Sequence, residues 1–326
     1  MISRRGLASV AAAYAKPNPL VEPIQQKTSR LPNGMTISSV DLQGAVSQLV
    51  FAFRSGSRYQ QPDEGGVAHM LRNCIGSDSD NYLGLRLLWQ TAQTGANLFS
   101  KLSKDLLCVQ MSVNRTQAPI ALSVLGEIVQ PAIKPWDIYE VHKGLEIDLE
   151  HQTAEDITFE NLHRAAFRPD KINYRNGSLA NQLLCKSYEI GSDTNVGHKR
   201  LQSYVLSRWK NHRVVPDGAG HPANPSPFLG GEVRQFGPGK LAHIAIVGEG
   251  AAFKDDKAVA IQAVLAQLIG KTVNISHSDI GLVGFYLAAE GEKIFPYVKA
   301  AVQGLRELAE KTVDQELIQV GLIVVF

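Results

Sequence analysis

The sequence predicts an α+β protein made of two related halves. Strand-like alternation and helix-like periodicity succeed one another in the same order twice, a stretch crowded with chain breakers separates the two runs, and 326 residues exceed what one small module holds. The first run opens on Leu31-Pro32-Asn33-Gly34, a turn signal, followed by Met35 to Val40 and then Ala45 to Arg54. In the second segment Ser47, Leu49, Phe51 and Phe53 alternate with Val46, Gln48, Val50 and Ala52, the period of two that sends successive side chains to opposite faces. A hairpin entering a buried sheet is expected.

Gly65-Gly66 leads into a predicted helix on which Val67, Met70, Leu71 and Cys74 keep the i, i+3, i+4, i+7 spacing of one buried face. A helix around Leu83 to Thr94 follows, then a strand pair turning at Lys104-Asp105, with Leu107, Val109, Met111 and Val113 on one side of the second strand. Next come a helix from about Pro119 to Val129, one starting near Pro135, where the ring suits a first turn, and one from about Asp156. The last carries Phe159, Leu162, His163, Ala166 and Phe167 on one face.

The second run is briefer: a strand at Leu241 to Val247, a helix at Lys257 to Ile269, a strand at Leu282 to Ala288 and a helix at Tyr297 to Glu307. Between the runs, Asp217 to Gly231 holds Gly218, Gly220, Pro222, Pro225, Pro227, Gly230 and Gly231. The expected division is therefore a leader over 1–27, a first domain over 28–216, a linker over 217–229 and a second domain over 230–326.

Composition narrows the function. With 44% hydrophobic and 20% charged residues, and no segment near ~18 uninterrupted apolar residues, any membrane association is expected to run through partner subunits. The formal net charge is +2 and the basic residues are dispersed, unlike the concentrated footprint of a nucleic-acid binder. Cys74, Cys108 and Cys185 are odd in number and widely spaced, which fits a reducing compartment better than a disulfide framework. Met1 to Val21 contains Arg4, Arg5 and Lys16, hydroxyls at Ser3 and Ser9, an Ala-rich stretch and no acid before Glu22, the make-up of a mitochondrial transit peptide.

Several segments resemble the pitrilysin-type metallopeptidase family: Leu31-Pro32-Asn33-Gly34, the strand ending Arg54-Ser55-Gly56-Ser57-Arg58-Tyr59, and Gly65-Gly66-Val67-Ala68-His69-Met70-Leu71. The run from Glu160 to Arg168 is similar to a helix of mitochondrial processing peptidases and respiratory complex III core proteins. Gly230-Gly231-Glu232-Val233-Arg234 and Asp279 to Tyr286 look like segments of the core protein 2 branch, which has lost its zinc site. The likeness covers most of residues 28–210 and, with gaps, 230–326. It implies two pitrilysin-like (LuxS/MPP-like metallohydrolase) α/β sandwich domains, the second incomplete because the chain stops at Leu322-Ile323-Val324-Val325-Phe326. It also makes Arg208 to Pro227 look shortened, and Lys271 to Ser278 too brief for the helix expected there.

Active members of that family carry H-x-x-E-H on the first helix after the glycine loop. Residues i and i+4 share a helix face, so two imidazoles bind one zinc ion while the intervening Glu activates its water. Here the five positions read His69-Met70-Leu71-Arg72-Asn73. His69 matches the first ligand, but Arg72, permanently cationic, stands in for the base, and Asn73, a weak neutral oxygen donor, for the second imidazole. Asp137, Glu140, Glu146 and Glu150 are the candidates for a third, acidic ligand, with a solvated helix face as their alternative role. No catalytic residue, metal or cofactor is therefore expected.

The resemblance implies a non-catalytic core subunit of the mitochondrial cytochrome c reductase complex, on the matrix side of the inner membrane, with core protein 1 and other complex III subunits as partners. The alternative is a zinc-free, peptide-binding partner subunit of a mitochondrial processing peptidase, whose long Gly-rich loop has no counterpart between Val214 and Phe326. Other signals carry less. Gly248-Glu249-Gly250 lacks a third glycine at dinucleotide spacing and is expected to form the turn leaving a strand, and His212 and His221 lack partners at ligand spacing.

Overall fold

A computed structural model of the chain describes residues 26–32, 35–60, 65–167, 178–184, 199, 201, 226–237, 239–269 and 272–310. The expectations for the leader, most of the linker, Cys185, His212, His221 and the final residues fall outside these.

Strands β1 (Gln26–Arg30) and β2 (Thr36–Val40) pair antiparallel, with Gln26 opposite Val40, and every residue of both is exposed. The turn signal at 31–34 thus joins these two strands, and Leu31 N donates to Met35 O at 2.8 Å to close it. The expected hairpin between Met35–Val40 and Ala45–Arg54 is not formed. Strand β3 (Val46–Phe53) enters a different sheet, because its alternating face is the one that has a core to cover.

That first sheet has the order β3-β5-β4, all antiparallel, with β4 at Asn97–Leu102 and β5 at Leu107–Asn114. The central β5 turns Leu107, Val109, Met111 and Val113 into the core, as their alternation predicts. Its other face is half-polar, where Gln48 Oε1 accepts from Gln110 Nε2 at 2.8 Å and from Ser112 Oγ at 2.6 Å. Four helices cover the buried side: α1 (Val67–Asn73), α2 (Gly84–Gln93), α3 (Ala118–Ile128) and α4 (Asp137–Glu150). They contribute Val67, Met70, Leu71 and Cys74, then Leu87, then Val124, Leu125 and Ile128, then Ile138, Val141 and Leu145. The starts follow local chemistry. Asp78 Oδ1 accepts from Gly84 N at 2.8 Å at the head of α2, Pro119 occupies the first turn of α3, and Asp137 Oδ2 accepts from Lys134 N at 2.9 Å beside α4.

Helix α5 (Ala154–Phe167) opens on a reciprocal cap in which Thr153 Oγ1 accepts from Asp156 N and Asp156 Oδ2 accepts from Thr153 N, each at 3.1 Å. It crosses to the second core, where Leu162, Ala166 and Phe167 pack with Leu179, Val273, Ile280 and Leu282. The second sheet runs β6-β8-β7, with β6 at Leu241–Gly250, β7 at Thr272–Ser276 and β8 at Gly281–Glu290. Helix α6 (Asp256–Ile269) links β6 to β7, and α7 (Ile294–Glu310) follows β8. Both sheets therefore place their third strand in the middle, with helix before the second strand and helix after the third, which is the internal repeat in three dimensions. Two local expectations are corrected. Residues 272–276 form a strand where a helix is expected, and Gly248-Glu249-Gly250 stay inside β6, paired with Val283, Leu282 and Gly281.

The two sheets meet at Arg58, which is 0% exposed. Its Nη1 donates to Asp105 Oδ1 (2.7 Å) in the turn after β4 and to Asp279 Oδ1 (2.9 Å) in the turn before β8, while Nη2 donates to Asp279 Oδ2 (2.9 Å) and Ser226 Oγ (3.1 Å). Burial opposes the Arg58 charge, but the hydrogen bonds it donates to Asp279 and Asp105 outweigh this and hold the guanidinium more firmly protonated than usual. Gly56 lets this strand end come close, since any side chain there would run into the backbone of Lys104. Removing the guanidinium would strand two carboxylates in a desolvated contact. Arg58→Met is therefore expected to lose about 3–5 kcal/mol of unfolding free energy in a urea titration, and a loss below about 1 kcal/mol would show that the seam does not depend on it.

Candidate functional site

Helix α1 begins at Gly66, whose left-handed φ of 79° turns the chain into the helix and whose N–H donates to Gln60 Oε1 at 2.7 Å. From that start, His69, Arg72 and Asn73 fall at i, i+3 and i+4 on one face. All three side chains converge on a single atom of α4: Asp148 Oδ2 accepts from His69 Nε2 at 2.8 Å, from Arg72 Nη1 at 3.1 Å and from Asn73 Nδ2 at 3.2 Å. The degenerate motif positions are thus assembled into one cluster across two helices.

None of the four acids named from the sequence is the one that faces His69. Glu140, Glu146 and Glu150 are exposed, and Asp137 is bound to the backbone of Lys134. The residue that does face it, Asp148, continues the buried stripe Ile138, Val141, Leu145 at the next helical step, the only acid of α4 on that line. Applying the stripe's period to the acids, instead of counting acids, would have selected it.

The protonation state follows from the environment. Burial holds the His69 imidazole below its ordinary range despite the bond to Asp148, so the ring is neutral near pH 7. Burial also works against an ionised Asp148, but the hydrogen bonds from His69 and Asn73 and the nearby Arg72 charge prevail and keep it a carboxylate. A carboxylate only accepts, so the His69 proton sits on Nε2 and points at Asp148.

This donor set is a poor match to a divalent cation. One imidazole nitrogen is committed as a donor, the carboxylate oxygen already receives three hydrogen bonds, and a guanidinium stands 3.1 Å from it where the cation would add a second positive charge. What the cluster provides chemically is a neutralised carboxylate between two packed helices. Among the described residues there is no group of three or more His, Cys, Asp or Glu side chains arranged to hold a metal ion.

Comparison with known proteins agrees with the fold. A family model described as insulinase, peptidase family M16, matches residues 36–185, the first sheet and the helices that carry the cluster. The mitochondrial cytochrome b-c1 complex subunit 2 of Homo sapiens is 23% identical over 96% of this chain and 77% of that protein. A probable mitochondrial-processing peptidase subunit alpha-2 of Arabidopsis thaliana is 25% identical over 79% of this chain and 55% of its own length. The mitochondrial-processing peptidase subunit beta of Blastocladiella emersonii is 24% identical over 88% of this chain and 72% of its own length. Residues 36–185 thus match the M16 peptidase family model, and over nearly its whole length the chain is similar to mitochondrial cytochrome b-c1 complex subunit 2 proteins.

Proposed function

We propose that this chain is a non-catalytic structural subunit of the mitochondrial cytochrome c reductase complex, a peptidase fold kept for its surface and not for its chemistry. Arg72 is the observation that carries this role: its guanidinium is bound to Asp148 at the helix position from which a peptidase's general base would act, and a permanent cation accepts no proton from water. The similarity to subunit 2 of the cytochrome b-c1 complex supports the same role and a mitochondrial location. On this proposal the site residues His69, Arg72 and Asn73 bind no zinc and no cofactor. The chain lies on the matrix side of the inner membrane against core protein 1 and neighbouring subunits. No helix among the described residues is long and apolar enough to cross a membrane, so its attachment runs through those partners. The division into domains 28–216 and 230–326, joined by 217–229 and preceded by a transit peptide within 1–27, belongs to the same proposal.

Immunocapture of the chain from detergent-solubilised mitochondria is expected to recover haem-bearing and iron-sulfur subunits of the reductase. Recovery of processing-peptidase subunits alone would instead favour the peptide-binding alternative. The purified chain, incubated with presequence peptides and zinc, is expected to yield no cleavage products by mass spectrometry, and turnover abolished by Asp148→Asn would refute the proposal.

A third experiment tests the reading of the degenerate motif. Because Asp148 already faces the whole motif, the double substitution Arg72→Glu with Asn73→His supplies an imidazole and a carboxylate where the guanidinium and amide now stand. The doubly substituted chain is expected to melt several degrees higher with micromolar zinc than without it, while the unaltered chain shows no shift. Equal behaviour of the two would mean that Asp148 does not occupy a ligand position.

A further inference from the structure

Beside the Arg58 contact runs a second connection between the sheets that no part of the proposed function uses. His163 on α5 and His277 in the turn after β7 are both nearly sealed from solvent, at 5% and 6% exposure, with their Nε2 atoms 3.0 Å apart. His163 Nδ1 lies 2.7 Å from Phe159 O, an atom that only accepts, so that nitrogen carries the proton and His163 Nε2 offers a lone pair. The donor between the rings is therefore His277 Nε2–H. The other nitrogen of His277 lies 3.6 Å from Asp105 Oδ2, and Asp105 in turn accepts from Ser278 N (3.1 Å) and from Arg58. The chain Asp105, His277, His163, Phe159 thus runs from the turn of the first sheet, through the turn of the second, into α5.

We infer that this chain is an acid-released latch: one proton added at His163 turns its acceptor nitrogen into a donor, breaks the bond to His277 and frees the turn at His277 from α5. The two imidazoles are not equivalent in this respect. The second nitrogen of His277 faces the Asp105 carboxylate, whereas a proton added to His163 meets an N–H already pointing at it across 3.0 Å. The other charges that face the pair reinforce the asymmetry. Lys104, whose ammonium is held by Glu160 at 3.0 Å and Asn181 O at 2.7 Å, adds positive charge on the His163 side, while Arg58 and Asp279 lie beyond Asp105 and neutralise one another. Phe167 packs against both rings and excludes solvent.

The sign of the pH effect follows. Burial, reinforced by the Lys104 charge, pushes the His163 imidazole down to about 3 from an ordinary 6.5. Its neutral form is thus favoured in the closed state, and the contribution it makes is full above about 6.5 and is lost progressively as pH falls toward 3. Asp105 and Asp279 are held below the ordinary carboxylate range, so their contribution persists until pH drops below about 4, beneath most of that window. His69 is also buried and neutral, but it belongs to the first core and would weaken that region instead.

Hydrogen exchange followed by mass spectrometry on the full chain, corrected for intrinsic rates, separates local release from general acid unfolding. In peptides covering residues 277–286, the opening constant is expected to rise by up to about tenfold per pH unit below pH 6, while peptides covering β5, residues 107–113, stay protected. His163→Gln keeps an acceptor for His277 but cannot titrate, and is expected to flatten the pH dependence at 277–286 without loosening it at pH 7.5. The latch is overturned if 277–286 and 107–113 lose protection together in the unaltered chain, if neither changes between pH 7.5 and 5, or if a folded His163→Gln chain keeps the original slope. Should that variant fail to fold, the comparison of the two peptides in the unaltered chain decides alone.

Discussion

A guanidinium without access to water sits where the two sheets of this protein meet, and its charge is balanced by a pair of carboxylates contributed by turns on opposite sides. Burying an ion carries a desolvation penalty of several kcal/mol, offset only when partners and geometry are complete. Here each terminal nitrogen of Arg58 reaches at least two acceptors, and Ser226 N and Ser278 N share the load on Asp279 and Asp105. The contact joins residues 221 positions apart, so closing it carries an entropic cost on the order of 5 kcal/mol. Apolar packing must supply that. Two clusters do so, one under the first sheet and one shared by α5 and the second sheet. The ion pair then fixes how the two are registered, because a sliding of either turn by one residue would leave a buried charge alone.

The second cluster of charges, on α1 and α4, obeys the same rule at lower stakes. Arg72 and Asp148 are each about a quarter exposed, so their attraction adds little to stability by itself. Its consequence is chemical. In a zinc peptidase the metal supplies the positive charge that a buried carboxylate and two imidazoles require; here a side chain supplies it from within the helix. Once that charge is covalently present, a divalent cation meets repulsion, and the single remaining imidazole has turned its proton toward the carboxylate. The α1–α4 contact is instead closed by the pairing of Arg72 with Asp148. Around it lies an α+β fold similar over nearly its whole length to a mitochondrial cytochrome b-c1 complex subunit 2.

Much of this was legible in the amino-acid order, for reasons that differ by element. The helices were found because their apolar stripes are regular: Val67, Met70, Leu71 and Cys74 on α1, or Leu162, Ala166 and Phe167 on α5, and all are buried. Strand β5 was legible for the same reason at period two. Strand β7 was not, since Thr272–Ser276 is five residues long, shorter than the window periodicity needs. The β1–β2 pairing was missed because neither strand has a buried face to betray it. At the site, His69, Arg72 and Asn73 were named from the motif, but Asp148 was overlooked. Arg58 carried no local signal at all. Its role depends on Asp105, Asp279 and Ser226, whose nearness exists only after the chain has folded.

The central claim is that the Arg72 guanidinium occupies the electrostatic place of a metal ion. Calorimetric titration of zinc into the chelator-treated full-length chain at pH 7.5 tests it most directly. The account predicts no saturable heat at micromolar zinc, in the unaltered chain and in Asp148→Asn alike. A one-site isotherm of micromolar or tighter affinity that disappears on Asp148→Asn substitution would contradict it.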